Sequence, residues 1–236
     1  MALPKISHPA FDFVIPSLGK KESFRPFLVK EEKVLLMAKA SNDPADMFRS
    51  IKQVVNNCAL STNFDVDKLT IFDLEYLFLK LRSISVSNIV KVSYRDNEDS
   101  EVYDFDIDLN GIEVKFPENI NKNIKVNDAI TIMMRYPAAA LFDDKEYFNS
   151  GDQAYYELIL RCVDKIVDGD DIHLASDYSH GDLEQFLDEC GVTVLQKIQE
   201  FINNSPRLYH KLNYKNKLGN DRLIEMTSLT DFFTLG

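Results

Sequence analysis

Asp104, Asp106, Asp108 and Asn110 stand two residues apart and run into Gly111, the most chemically suggestive spacing in the chain. Asp106, Asp108, Asn110 and Gly111 match the first, third, fifth and sixth positions of an EF-hand calcium loop. The bidentate Glu that closes such a loop is missing, because Pro117 stands in its place. The flanking residues alternate as a strand would, and a strand aligns the three carboxylates on one face with Phe105, Ile107 and Leu109 on the other. The run therefore reads as a solvated acidic strand face, or a docking site for a basic partner, ahead of a Ca²⁺ site.

A second acidic group comprises Asp168, Asp170, Asp171 and Asp177, with His173 and His180 close by. Imidazole and carboxylates together can hold a metal or move protons. Here they fall in a polar loop after a helix, where Asp is expected as a turn and cap residue.

Nucleophilic catalysis has no sequence support: G-x-S-x-G, P-loop, G-x-G-x-x-G and H-E-x-x-H patterns are all missing. Cys58 lies at a helix end and Cys162 on an apolar stripe, both positions for a buried small hydrophobe. Cys190, at a helix break, is expected to be the most exposed of the three. His8 and His210 lie in extended segments that suit surface or interface roles. No catalytic, cofactor-binding or metal-ligating residue is assigned, so the chain reads as a non-enzyme without a cofactor. The rival reading is a metal-dependent enzyme built on the acidic clusters.

The 236 residues carry a net charge of −11, which argues against a nucleic-acid surface, since phosphate neutralisation needs clustered Lys and Arg. At 45% hydrophobic and 28% charged the composition is that of an ordinary globular chain. Three cysteines, odd in number and without a CxxC, support neither a disulfide framework nor a zinc ribbon and suit folding in a reducing cytoplasm. Residues 1–19 lack the features of a signal peptide, and no window approaches the ~18 apolar residues of a membrane span.

The elements that must position these residues follow from periodicity. Residues 1–29, punctuated by Pro4, Pro9, Pro16 and Pro26, read as an extended arm carrying Phe11 and Phe13. Residues 30–88 read as a helical segment in three pieces. The first has an apolar stripe of Val34, Leu35, Met37 and Ala38. The second follows the Asn42-Asp43-Pro44 start, and the third opens at Thr70 with Asp73 completing a capping box. Residues 89–136 alternate as strands, with Asn110-Gly111 as a hairpin turn. Residues 137–205 return to helix: one helix from Tyr147 to Val167, then a pair at about 180–190 and 192–203 capped by Ser179 and Thr193. Residues 206–236 read as a hairpin with an apolar tail. The expected fold class is α+β, with an N-terminal helical segment, a central small antiparallel sheet, C-terminal helices and a terminal β-hairpin.

Several side chains are candidates for an interface. Phe72 and Tyr76 lie on a helix apolar nearly all round, which is either buried on several sides or part of a contact surface. Leu229, Phe232, Phe233 and Leu235 place four large apolar residues in the last eight, a tail expected to dock on this chain or another. Phe24, Arg25 and Phe27 lead into the helices, and Asp104, Asp106 and Asp108 form the acidic face.

The run Ser23-Phe24-Arg25-Pro26-Phe27-Leu28-Val29-Lys30-Glu31-Glu32-Lys33, and the later run from Asp67 to Arg82, resemble the T4-type bacteriophage baseplate proteins. These are hub subunits and hub assembly proteins of contractile-tailed phages. Phe201 to Arg207 and the closing Leu229-Thr230-Asp231-Phe232-Phe233 resemble that family's C-terminal part, so the likeness spans most of the chain. It implies a scaffold or assembly role with other baseplate or hub proteins as partners, and leaves a homo-oligomer open. The implied location is the virion's tail baseplate, reached by assembly in the host cytoplasm. Some relatives carry Cys pairs in the hairpins that correspond to about 94–103 and 214–223. This chain has Tyr94-Arg95-Asp96-Asn97 and Lys215-Asn216-Lys217 there, so no structural metal is implied. Two further readings compete: an assembly factor absent from the finished particle, and a cytoplasmic binding module unrelated to phage.

Overall fold

A computed structural model describes Pro4, residues 6–41 and residues 43–232. In chain order its elements are β1 (Phe11–Ile15), β2 (Lys20–Phe24), α1 (Val29–Ser41), α2 (Pro44–Cys58), α3 (Ile71–Ser85), β3 (Ile89–Arg95), β4 (Val102–Asp108), β5 (Glu113–Lys115), β6 (Asn123–Lys125), β7 (Ile130–Met134), α4 (Lys145–Asn149), α5 (Ala154–Arg161), β8 (Val163–Asp168), β9 (Asp171–Leu174), α6 (His180–Asp188), α7 (Val192–Asn203), β10 (Arg207–Lys215), β11 (Asp221–Met226) and α8 (Leu229–Phe232). They gather into two compact units. One takes the described residues up to Lys115 and from Arg207 onward; the other is Phe116–Pro206.

The helices of the first unit start where local chemistry says they should. Asp43 caps α2, its side chain accepting from Ala45 N at 2.9 Å, with Pro44 in the first turn where its missing N–H costs nothing. Thr70 and Asp73 form the expected capping box at the head of α3. Asp73 is wholly buried and also accepts from the backbone N–H of Ser17 at 2.8 Å and from its hydroxyl. One carboxylate thus fastens the β1–β2 turn to the start of α3. That turn is closed by Gly19 at φ +62°, whose N–H reaches Ile15 O at 2.9 Å.

α3 is the axis of this unit: Leu74, Leu77, Leu79 and Leu81 are fully buried, and β1, α2, β5 and β10 all pack on it. Of the two readings of its all-round apolarity, burial in its own unit is the one that holds. Glu75, also on α3, is buried and accepts the backbone N–H of Leu229 at 3.2 Å. Burial pushes its carboxyl up to about 7; the Leu229 bond opposes this and the charge of Asp231 adds to it. The folded protein therefore holds the Glu75 proton more tightly than the unfolded chain. This stability is full below pH 4.5 and is lost as pH rises through 7. The interval from 4.5 to about 7 is 2.5 pH units, which at roughly 1.4 kcal/mol each amounts to about 3 kcal/mol. We expect Glu75→Gln to keep the bond to Leu229 and to gain about 3 kcal/mol over the wild type at pH 8, with little gain at pH 4.5, in urea melts. Parallel pH profiles for the two proteins would contradict this.

The α+β class stands, but its expected layout is corrected. The described residues form eight α-helices and four separate antiparallel sheets, not one central sheet followed by helices. β1 pairs with β2 inside the segment expected to be merely extended. β3 pairs with β4 alone, and β5 joins β10 and β11 in a three-stranded sheet. β6 and β7 continue into β8 and β9 in the second unit. The expected hairpin at Asn110-Gly111 does not form. A tight hairpin turn needs φ > 0 at its centre, and neither residue has it. Instead Asp108 accepts from Asn110 N at 3.0 Å, and Leu109–Gly111 make a 3-10 turn that leads the chain into β5, which pairs with β10.

The helix expected from Tyr147 to Val167 is likewise corrected: α5 ends at Arg161 and Val163–Asp168 is a strand paired on both sides. Val163, Ile166 and Val167 fit either period in so short a run, and their β-branching favours the strand. The second unit's core lies between this sheet and α5–α7, with Ile132, Ile159, Ile198 and Phe201 at its centre. α6 starts at the expected Ser179 cap, but α7 starts from Gly191 without a side-chain cap, so Thr193 does not have that role.

Candidate docking surfaces

The acidic residues do not converge on a site. Asp104, Asp106 and Asp108 share the exposed face of β4 as expected. Asp104 accepts from Ser93 Oγ at 2.6 Å across the ladder, and Asp106 stands opposite Lys91. Asp108 accepts from Asn110 N and from Asn88 Nδ2 at 3.1 Å, and these bonds hold its carboxyl below the ordinary range. The carbonyls of Leu109, Asn110 and Ile112 already face a fixed cation: Lys80 Nζ lies 3.4, 2.9 and 3.3 Å from them. A calcium loop would aim the carbonyl in the Ile112 position at the metal; here an ammonium takes it. In the second unit, His173 Nδ1 meets the Tyr178 hydroxyl at 2.6 Å, while His180 Nε2 pairs with Glu157 at 2.7 Å, so the two imidazoles have separate partners. Among the described residues no three Asp, Glu, His or Cys side chains are grouped to hold a metal ion.

Burial pushes the Cys58 thiol up to about 11 and the Cys162 thiol up to about 12, so neither is a ready thiolate at neutral pH. Cys190 is only half-buried, and its thiol contacts Phe186 O at 3.4 Å.

The aromatic and basic residues between β2 and α1 build a clamp. Arg25 spans to Glu31 with two bonds, Nη2 to Oε1 at 2.9 Å and Nη1 to Oε2 at 3.3 Å, and also donates to Asn57 O and Pro26 O. Glu31 is 1% exposed and accepts from Leu28 N at 2.9 Å as well. Burial alone would raise the Glu31 carboxyl; the bonds from Arg25 and Leu28 outweigh it and hold it below the usual Glu value. Phe24 is fully buried, stacked on Phe13 at 5.8 Å and edge-on to Phe64 at 5.4 Å. Phe11 sits half-buried opposite Phe24 in the β1–β2 ladder, and Phe27 is buried with its N–H on Ser85 Oγ. Phe72 is core, while Tyr76 is half-buried beneath Lys80, whose ammonium is 5.1 Å from the ring centroid. Leu229 and Phe232 are buried in their own unit; Phe233 and Leu235 lie outside the described residues.

The two hairpin tips that lack cysteines meet each other through polar groups. Asp96, wholly buried, accepts from the Tyr214 hydroxyl and from Arg222 Nε at 3.1 Å. Glu98 accepts from Asn216 at 2.6 Å and from Asn220 at 2.8 Å. Tyr214 packs its ring on Tyr103 and Phe105 at 4.9 and 5.3 Å.

One open surface was not foreseen from the sequence. A groove of about 410 Å³ runs between α1, α2, α3, β3 and α8, floored by Leu35, Met47, Phe48, Ile51 and Phe78. Leu36, 57% exposed, stands on its wall, and Met37, expected inside the α1 stripe, is 74% exposed. Lys39, Arg82 and Lys91 line it with Glu32 as the one carboxylate. The signal was present in α1, where Val34, Leu35, Leu36, Met37 and Ala38 are too many apolar residues in succession for one buried stripe.

A family model described as T4 bacteriophage base plate protein matches residues 8–234, nearly the whole chain. No curated protein and no solved structure matches.

Proposed function

We propose, because the chain belongs to the T4 bacteriophage base plate protein family, that it is a non-enzymatic structural part of the baseplate hub in a contractile phage tail. It works by docking against other baseplate proteins, after assembly in the host cytoplasm. The observation that carries this reading is the family match along residues 8–234. The chemistry inside the chain supports it. Lys80 fills the one carbonyl cradle that resembled a calcium loop, and the two most buried thiols are held protonated. No helix among the described residues is long and apolar enough to cross a membrane.

A phage deleted for this gene tests the role. The expected result is a lysate with heads but no complete baseplates by electron microscopy, restored when the chain is supplied in trans. Normal baseplates in the deletion would contradict it.

A further inference from the structure

We propose that the groove between α1, α2 and α8 is the seat of an amphipathic segment of a partner baseplate protein, apolar on one face and carrying a carboxylate that bonds Arg82. The proposal rests on the docking role above and names the surface and the chemistry of what it takes.

Three observations converge on it. The first is shape: an apolar trough with Leu36 standing exposed on its wall is the form that receives a helix or strand by its apolar face. The second is charge. The chain has a net charge of −11, yet Lys39, Arg82 and Lys91 line this trough against Glu32. Such a rim favours an acidic partner over a basic one, and over a two-fold pair of this chain that would set the same cationic rim against itself. The third is an unmade bond. Arg82 lines the groove; its Nη1 is closed off from solvent and has no hydrogen-bond acceptor among the described residues, so a partner's carboxylate reaches that nitrogen only once the guanidinium turns into the groove. A buried donor without an acceptor is costly, and a charge-assisted bond from a guanidinium is among the stronger polar contacts. Turned toward the groove, the guanidinium bonds the partner's carboxylate, which removes that cost and makes Arg82 the anchor of the contact.

The neighbouring acidic face of β4 is the opposite case. Its carboxylates are exposed and two of them are already bonded, which gives no comparable demand for a ligand.

The test is photocrosslinking in infected cells with the full-length chain. Leu36 or Met47 is replaced by p-benzoyl-phenylalanine in the groove, and Asp104 is replaced in the same way as a comparison position. Adducts are digested and the joined peptide is read by mass spectrometry. The proposal expects adducts from both groove positions to one segment of another baseplate protein, containing apolar residues and at least one Asp or Glu. It further expects Arg82→Met to lower adduct yield about tenfold, the loss of one charge-assisted bond, while the purified variant stays folded by circular dichroism. Adducts to a basic segment, adducts to a second copy of the chain, or unchanged yield with Arg82→Met would each overturn it. If Asp104 gives adducts with baseplate proteins and the groove gives none, the groove proposal fails and the docking role stands. If no position gives an adduct and the chain is missing from baseplates, the role itself fails.

Discussion

Arg25→Met should destabilise the protein by about 3–5 kcal/mol, the usual cost of leaving one partner of a buried ion pair behind. Glu31 is 1% exposed and its two oxygens are taken by Arg25 and Leu28 N, with the exposed Lys30 as a second cation at 3.5 Å. With the guanidinium gone, its bond and its charge no longer oppose burial, and the Glu31 carboxyl rises from its wild-type value. The stability that Glu31 gives at neutral pH therefore shrinks. In the wild type the stability from Glu31 is present above the ordinary Glu pKa of 4.5 and is lost as pH falls through its lowered folded value. Arg25→Met loses the part of this that Arg25 supplies, so its deficit should be largest near neutrality and shrink as pH falls below 4.5. The double variant Arg25→Met, Glu31→Met should recover about half the loss, since Leu28 N and Asn57 O still lack partners. Denaturant melts of the three proteins at neutral and acid pH measure all of this. A single variant within about 1 kcal/mol of wild type would show the clamp to be weak.

The second large effect is at Asp73. Its carboxylate accepts from Ser17 N at 2.8 Å, Thr70 N at 3.1 Å, Thr70 Oγ1 at 2.6 Å and the Ser17 hydroxyl, while fully buried. Asp73→Ala removes the capping box, worth about 1 kcal/mol, and strands the donors of the β1–β2 turn. We expect a loss of about 3 kcal/mol. Asp73→Asn keeps one acceptor oxygen and should lose about half as much. Hydrogen exchange distinguishes a local from a global effect: faster exchange confined to the amides of residues 11–24 and the first turn of α3 is expected in Asp73→Asn. Equal stability in the Ala and Asn variants would mean that the acceptor oxygens are not what matters.

These two carboxylates show which parts of the fold were legible in the sequence. Asp73 was readable as a cap because its partner Thr70 is three residues away, but not as the tether to Ser17, which lies 56 residues back. Arg25 and Glu31 were both visible in the run that resembles the baseplate family, but Arg25 only as an interface candidate. The bond between them crosses the β2–α1 corner, and no helical or strand period predicts it. The strands of β3, β4 and β10–β11 were readable because alternation is a local property. Their partners were not, because alternation marks a buried face and says nothing of which strand lies beside it. That is why residues 89–135 looked like one sheet and divide among three. The groove is the extreme case. Its lining comes from five elements, with α8 more than 130 residues from β3, and only the excess of apolar residues in α1 hinted at it.

The proposed role makes this chain a built-in part of the baseplate. Quantitative mass spectrometry of purified, intact phage particles tests it most directly. The chain is expected in every preparation, at a constant ratio to other baseplate proteins. A chain abundant in infected cells but absent from finished particles would contradict it and leave an assembly factor in its place.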